Sequence, residues 1–146
     1  MKTRFLSLLV VVALAAGAIA IAEDKAAAPA LKCPVSGKAV AADKSVDFNG
    51  GKVQFCCENC QKSFQADTAK FAAKANFQLA QSGQLKQTAC PMTGKPCDAE
   101  KTVDVSGISV QFCCGGCKAK ADKASGDDLV ELIFKDISKG WAIAKK

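Results

Sequence analysis

The chain carries one sulfur-rich run twice. Val53-Gln54-Phe55-Cys56-Cys57-Glu58-Asn59-Cys60 returns as Val110-Gln111-Phe112-Cys113-Cys114-Gly115-Gly116-Cys117. A Cys-Pro pair precedes each run, Cys33-Pro34 and Cys90-Pro91, and every cysteine of one set lies 57 positions from its counterpart. Nine cysteines and no histidine in 146 residues leave sulfur chemistry as the chemistry open to this chain. Thiolates can hold a soft or borderline metal ion, close disulfides or exchange electrons.

The spacing favours metal. Residues three or four apart share a helix face, so Cys57/Cys60 and Cys56/Cys60 can each aim two sulfurs at one point. A helix N-terminus carries partial positive charge, which favours thiolate over thiol. A turn cysteine then joins them, as in small zinc-binding folds. The candidate ligands are Cys33, Cys56, Cys57 and Cys60 in the first set, and Cys90, Cys113, Cys114 and Cys117 in the second. Three or four thiolates suit zinc(II) or copper(I). Cys97 stands outside the pattern, because its counterpart is Val40.

The elements that must position these sulfurs can be read from the same repeat. From Cys33 to Cys60, 15 of 28 positions are identical to Cys90 to Cys117 without a gap, so one structural unit is used twice. Cys-Pro-x-[Ser/Thr]-Gly is a tight turn. Val46-Asp47-Phe48 alternates as a strand, and Asn49-Gly50 is a strong hairpin turn signal, with Ser106-Gly107 weaker in its place. Val53 to Cys57 is the return strand, and helix follows from Glu58. Asp67 caps a second helix that ends near Gly83. Ser125-Gly126-Asp127-Asp128 fits a capping box before Leu129, Val130, Ile133, Phe134 and Ile137. Gly115-Gly116 weakens the corresponding first turn of the second unit. The expected fold class is α+β: two tandem small zinc-finger-like units, each a cysteine knuckle, a β-hairpin and one or more helices.

Residues 1–22 read as a signal peptide. Lys2 and Arg4 precede the apolar run Phe5 to Ala16, and Ala20-Ile21-Ala22 supplies the small-x-small cleavage pattern. Residues 23–30 are a linker, 31–88 the first unit and 89–146 the second. The chain is therefore expected to be exported, periplasmic or extracellular, with no stable membrane anchor after cleavage. Its formal charge of +6 is spread along the sequence with few aromatics, which argues against a nucleic-acid partner. Units this small bury little apolar surface and normally need a metal or disulfides.

Cys-Pro-Val-Ser-Gly, then a hairpin, Phe-Cys-x-x-x-Cys, Phe64 and Asp67, resembles the YHS domain and its relative the TRASH metal-binding domain. The likeness covers roughly 31–75 and 88–120. It implies a treble-clef-like fold and a role in heavy-metal sensing, trafficking or resistance, often of copper. By that resemblance Cys56/Cys60 and Cys113/Cys117 match the family's C-x3-C pair, and Cys33 and Cys90 its first knuckle position. The tyrosine and histidine that name the YHS domain are absent. Ser36 and Thr93 stand where such domains carry a second knuckle cysteine, so the fourth thiolate is expected from Cys57 or Cys114.

The expectation is an exported heavy-metal-binding protein, not an enzyme, partnered by a metal ion and by a protein that donates or accepts it. One alternative is a disulfide-stapled or structural interaction module. Against it, the cysteine total is odd, and adjacent Cys56 and Cys57 have Cα atoms about 3.8 Å apart, below the usual disulfide range. The other is a thiol-disulfide oxidoreductase built on Cys57-x-x-Cys60 and Cys114-x-x-Cys117, against which the chain lacks the longer βαβ context of a thioredoxin. Without histidine there is no ordinary base for a cysteine nucleophile.

Overall fold

A computed structural model describes residues 30–144. Residues 1–22, the expected signal peptide, and all of the expected linker except Ala30 lie outside the described residues. Each unit opens on a knuckle closed by backbone hydrogen bonds. The Cys33 N–H donates to Lys38 O at 2.7 Å and the Gly37 N–H to Cys33 O at 2.8 Å. The same pair recurs at Cys90/Lys95 and Gly94/Cys90, at 2.9 and 2.8 Å. Gly37 and Gly94 sit at φ 70° and 71°, a left-handed conformation that a side chain would strain.

A hairpin follows in each unit. Strand β1 (Ala41–Phe48) pairs antiparallel with β2 (Gly51–Phe55). Both turn residues, Asn49 and Gly50, have positive φ, as a two-residue type I′ turn requires. The return strand alternates, burying Val53 and Phe55 on one face. The end of the first unit adds β3 (Leu85–Gln87), and the second hairpin is β4 (Asp98–Val105) with β5 (Ile108–Phe112). Ser106 and Gly107 adopt φ 51° and 87° there, so the weaker turn signal makes the same turn.

Helix α1 (Glu58–Ala66) starts right after the first cysteine run, and α2 (Thr68–Gln81) follows it. The Asp67 side chain caps α2 by accepting the Lys70 N–H at 3.2 Å, as its sequence predicts. In the second unit these become α3 (Gly115–Lys123) and α4 (Gly126–Phe134). Helix α3 has nine residues, as does α1, despite its two leading glycines. Packing of Cys117 and Ala121 holds it where propensity would not. The capping box expected at Ser125 does not close: its side chain makes no cap hydrogen bond. Gly126, at φ 55°, turns the backbone left-handed where a capping box needs helical residues.

The units are joined through their corresponding parts. Strand β3 pairs antiparallel with the last strand, β6 (Trp141–Ile143), placing Gln87 opposite Trp141. Helix α2 packs on α4. One buried cluster runs through both units. Phe64 meets Phe48 and Phe55, each with ring centroids 5.2 Å apart, in the first unit. Phe134 of the second unit bridges Phe77 of the first and Trp141 of its own at 5.2 and 4.9 Å. Buried Asn76 ties α2 to its surroundings, accepting from Asn49 Nδ2 at 2.8 Å and donating to Phe134 O at 2.9 Å. The structure is thus α+β, with small antiparallel hairpins and helices following each cysteine cluster, as expected for two zinc-finger-like units in tandem.

Candidate metal centres

The knuckle holds Cys33, the end of β2 delivers Cys56, and the first turn of α1 carries Cys60. Their three Sγ atoms lie within 4.8 Å of one another, and so do those of Cys90, Cys113 and Cys117. Cys33, Cys60, Cys90 and Cys117 are buried, while Cys56 and Cys113 are half-buried. Each triad therefore opens to solvent on one side.

Four thiolates at about 2.3 Å around zinc stand roughly 3.8 Å apart along a tetrahedral edge. Cys56 and Cys60 Sγ are 3.6 Å apart, and Cys113 and Cys117 Sγ 3.8 Å. The donor set and its spacing fit a thiophilic ion, and either cluster can hold one. Cys57 and Cys114 stand at the exposed rim as N-cap residues of α1 and α3, in extended conformation. Cys56 Sγ donates to Cys57 Sγ at 3.7 Å, but Cys57 and Cys114 are outside the mutually close triads.

Ser36 and Thr93 do more than fill the place of a cysteine. Each hydroxyl oxygen lies 3.2 Å from a triad sulfur, Ser36 Oγ from Cys56 Sγ and Thr93 Oγ1 from Cys113 Sγ. By sequence they stand only where a ligand is absent. Their recurrence in both Cys-Pro-x-[Ser/Thr]-Gly knuckles was the available signal.

The thiols of one cluster differ in acidity. Burial pushes the Cys33 thiol up, but the Ser36 hydroxyl and the N–H groups of Cys56, Ser36 and Val35 together outweigh it and bring it from 9.0 to about 7. At Cys90 burial is again outweighed, by the Thr93 hydroxyl and the N–H groups of Cys113, Met92 and Thr93, and the value falls to about 6. Burial pushes Cys60 and Cys117 up to about 12, helped by hydrogen bonds with the other thiols of their own cluster. The Cys60 N–H, then the Cys60 and Cys56 thiols, hold Cys57 below its ordinary value. Cys114 is lowered in the same way by the Cys117 N–H and then the Cys117 and Cys113 thiols. Neither helix has a cap hydrogen bond from its N-cap side chain.

Cys97 is half-buried beside the second cluster without joining it. It accepts from Gln87 Nε2 and donates to Gln111 O, both at 3.5 Å. Burial, then the charges of Cys90 and Cys113, raise its thiol. Met92 is a half-buried side chain packed against the core.

Among the described residues, no helix is long and apolar enough to cross a membrane. No family model matches the chain, and no curated protein or solved structure matches it either.

Proposed function

We propose that this chain is an exported heavy-metal-binding protein of the YHS/TRASH kind that carries zinc or copper(I) on thiolates for buffering, trafficking or resistance, and that it is not an enzyme. The observation that carries this reading is the duplicated triad: six sulfurs gathered into two equivalent clusters by the same knuckle, hairpin and helix. Core cysteines kept only for packing have no reason to converge three at a time on one point, twice.

Within each cluster the roles divide. Buried Cys33 and Cys60, with Cys56, make the cradle, and Cys90, Cys117 and Cys113 make the other. Exposed Cys57 and Cys114 are the fourth thiolates. Standing at the rim beside Cys56 and Cys113, they are the sulfurs an acceptor protein's own thiolates can approach. That supports cargo over a purely structural ion, since a structural site is normally closed. Metal binding takes the proton from Cys60 and Cys117, so each ion bound at neutral pH displaces protons.

The test is the metal content and free-thiol count of the purified exported chain. The expected result is about two ions per chain, lost to chelator, with most thiols reactive after denaturation. Cys60→Ser and Cys117→Ser should each remove one ion. A chain with its cysteines paired in disulfides and no metal sinks the reading.

One arrangement favours a second reading, thiol-disulfide exchange. Cys57 is exposed with a lowered thiol, and Cys60 is buried with a raised one, three residues on at a helix start. Insulin reduction coupled to a thiol donor would support that reading, and inactivity in the assay would remove it.

A further inference from the structure

Two glutamine amides, one buried and one half-buried, do the same job at the two clusters. Gln78, on α2 and 2% exposed, accepts the Gln54 N–H on Oε1 at 2.6 Å. Its Nε2 donates to Gln54 O at 2.8 Å and to Lys32 O at 2.9 Å. Gln54 is two residues before Cys56, and Lys32 immediately precedes Cys33. One side chain therefore spans the two segments that deliver those ligands.

Gln87, on β3, makes the same three bonds in the second unit. Its Oε1 accepts the Gln111 N–H at 2.9 Å, and its Nε2 donates to Gln111 O at 2.6 Å and Ala89 O at 3.0 Å. Gln111 is two residues before Cys113, and Ala89 immediately precedes Cys90. The backbone groups held are repeat counterparts, 57 positions apart, but the glutamines are not. Lys135 stands 57 positions after Gln78, and Ala30, outside the first unit, stands 57 positions before Gln87. The two units meet one hydrogen-bonding demand from different elements.

A third glutamine shows that the demand is local. Gln84 brackets Lys52 on the same first hairpin, accepting its N–H at 2.7 Å and donating to its O at 3.0 Å. It grips the turn end of β2, four residues before Cys56, and its side chain reaches no part of the knuckle; its counterpart, Trp141, makes no such bracket on Ser109. The clamp beside the cysteines is repeated, and the clamp away from them is not.

We propose that Gln78 and Gln87 are the positioning residues of the two thiolate sites, each fixing the knuckle cysteine against the strand-end cysteine at metal-binding separation. The proposal rests on the metal-binding reading. Partners that orient metal ligands typically contribute about 10-fold to 100-fold in affinity.

The test uses the full chain and cobalt(II) as probe, read by thiolate charge-transfer and d–d absorption and by chelator competition. Cys117→Ser isolates the first site and Cys60→Ser the second. Gln78→Met in the first background and Gln87→Met in the second should each weaken cobalt binding about 10-fold to 100-fold and change the d–d bands. Gln84→Met should leave affinity and bands unchanged at both sites. Parental affinity and bands in both Gln→Met variants would overturn the proposal, and so would an equal loss in Gln84→Met. Far-UV circular dichroism checks folding. If Gln78→Met does not fold, half-buried Gln87 decides the matter by the same two outcomes. An absence of cobalt bands in both parents defeats the metal reading itself, and this proposal with it; bands in the parents with no effect of the variants defeat the proposal alone.

Discussion

At the scale of the residue, each cluster contains thiols made unlike by their surroundings. The hydroxyl and N–H groups around Cys33 favour its thiolate in the folded chain. Its value is depressed from 9.0 to about 7, so the stability it contributes is fully present above pH 9, declines as pH falls, and is gone below about 7. Cys90, depressed to about 6, keeps part of its contribution to lower pH. The second site should therefore hold its ion to a lower pH than the first. Metal titrations of Cys60→Ser and Cys117→Ser at descending pH check this, and the opposite order of loss would refute it. Alkylation of the metal-free chain at neutral pH should label exposed Cys57 and Cys114 first and buried Cys60 and Cys117 last, as followed by peptide mass spectrometry. Early labelling of Cys60 would show that its thiol is not held protonated as the structure implies.

At the scale of the element, the second knuckle leans on the chain's last turn. Gly140 O accepts the N–H groups of Thr88 and Ala89 at 2.9 and 3.2 Å, just before Cys90. A Cβ on Gly140 would meet Ala89 O at 2.6 Å and the Pro91 Cα and N at 2.7 and 2.8 Å, all backbone atoms that cannot swing aside. Gly140→Ala is expected to displace the Cys90 knuckle. It should weaken the second site at least 10-fold while sparing the first, at roughly 1–3 kcal/mol of stability. Gly83, the repeat counterpart of Gly140, faces open space at φ 72°. Gly83→Ala should cost only the left-handed strain, about 1–2 kcal/mol, and leave both sites at parental affinity. Thermal melts and the site-isolating backgrounds separate the two effects, and equal loss of the second site in both variants would contradict the steric argument.

At the scale of the molecule, the units depend on each other. Gln87 precedes the Cys90 knuckle, on the far side of the expected boundary at residue 88 from the cluster it clamps, and β3 is held by β6, more than 50 residues on. Removing residues 141–146, which include no cysteine, should unpair β3, release Gln87 and weaken the second site about 10-fold. The first site, clamped by Gln78 from α2, should keep its affinity. Loss of both sites on this truncation would mean that the shared core between α2 and α4, not the clamp, carries the dependence. The Lys74–Asp127 pair between those helices, at 2.7 Å, is exposed on both sides and adds at most about 1 kcal/mol to their docking.

The sequence alone determined the repeat, the knuckles, both hairpins and the helices that begin at the cysteine runs, and it offered four candidate thiols per unit; that Cys33/Cys56/Cys60 and Cys90/Cys113/Cys117 are the ones that converge came from the tertiary structure. The local features were legible because the interactions behind them are short in sequence. Turn glycines, strand alternation and helix spacing fix local geometry, and a duplicated pattern states each of them twice. The tertiary structure alone decided what surrounds the sulfurs. It placed Cys57 and Cys114 on the rim, aimed the Ser36 and Thr93 hydroxyls at triad sulfurs, paired β3 with β6, and recruited Gln78 and Gln87 from unrelated positions. Glutamine on a helix or a short strand carries no pattern of its own. Only when distant backbone groups are brought within 3 Å of its amide does it acquire a role, and that proximity is a property of packing.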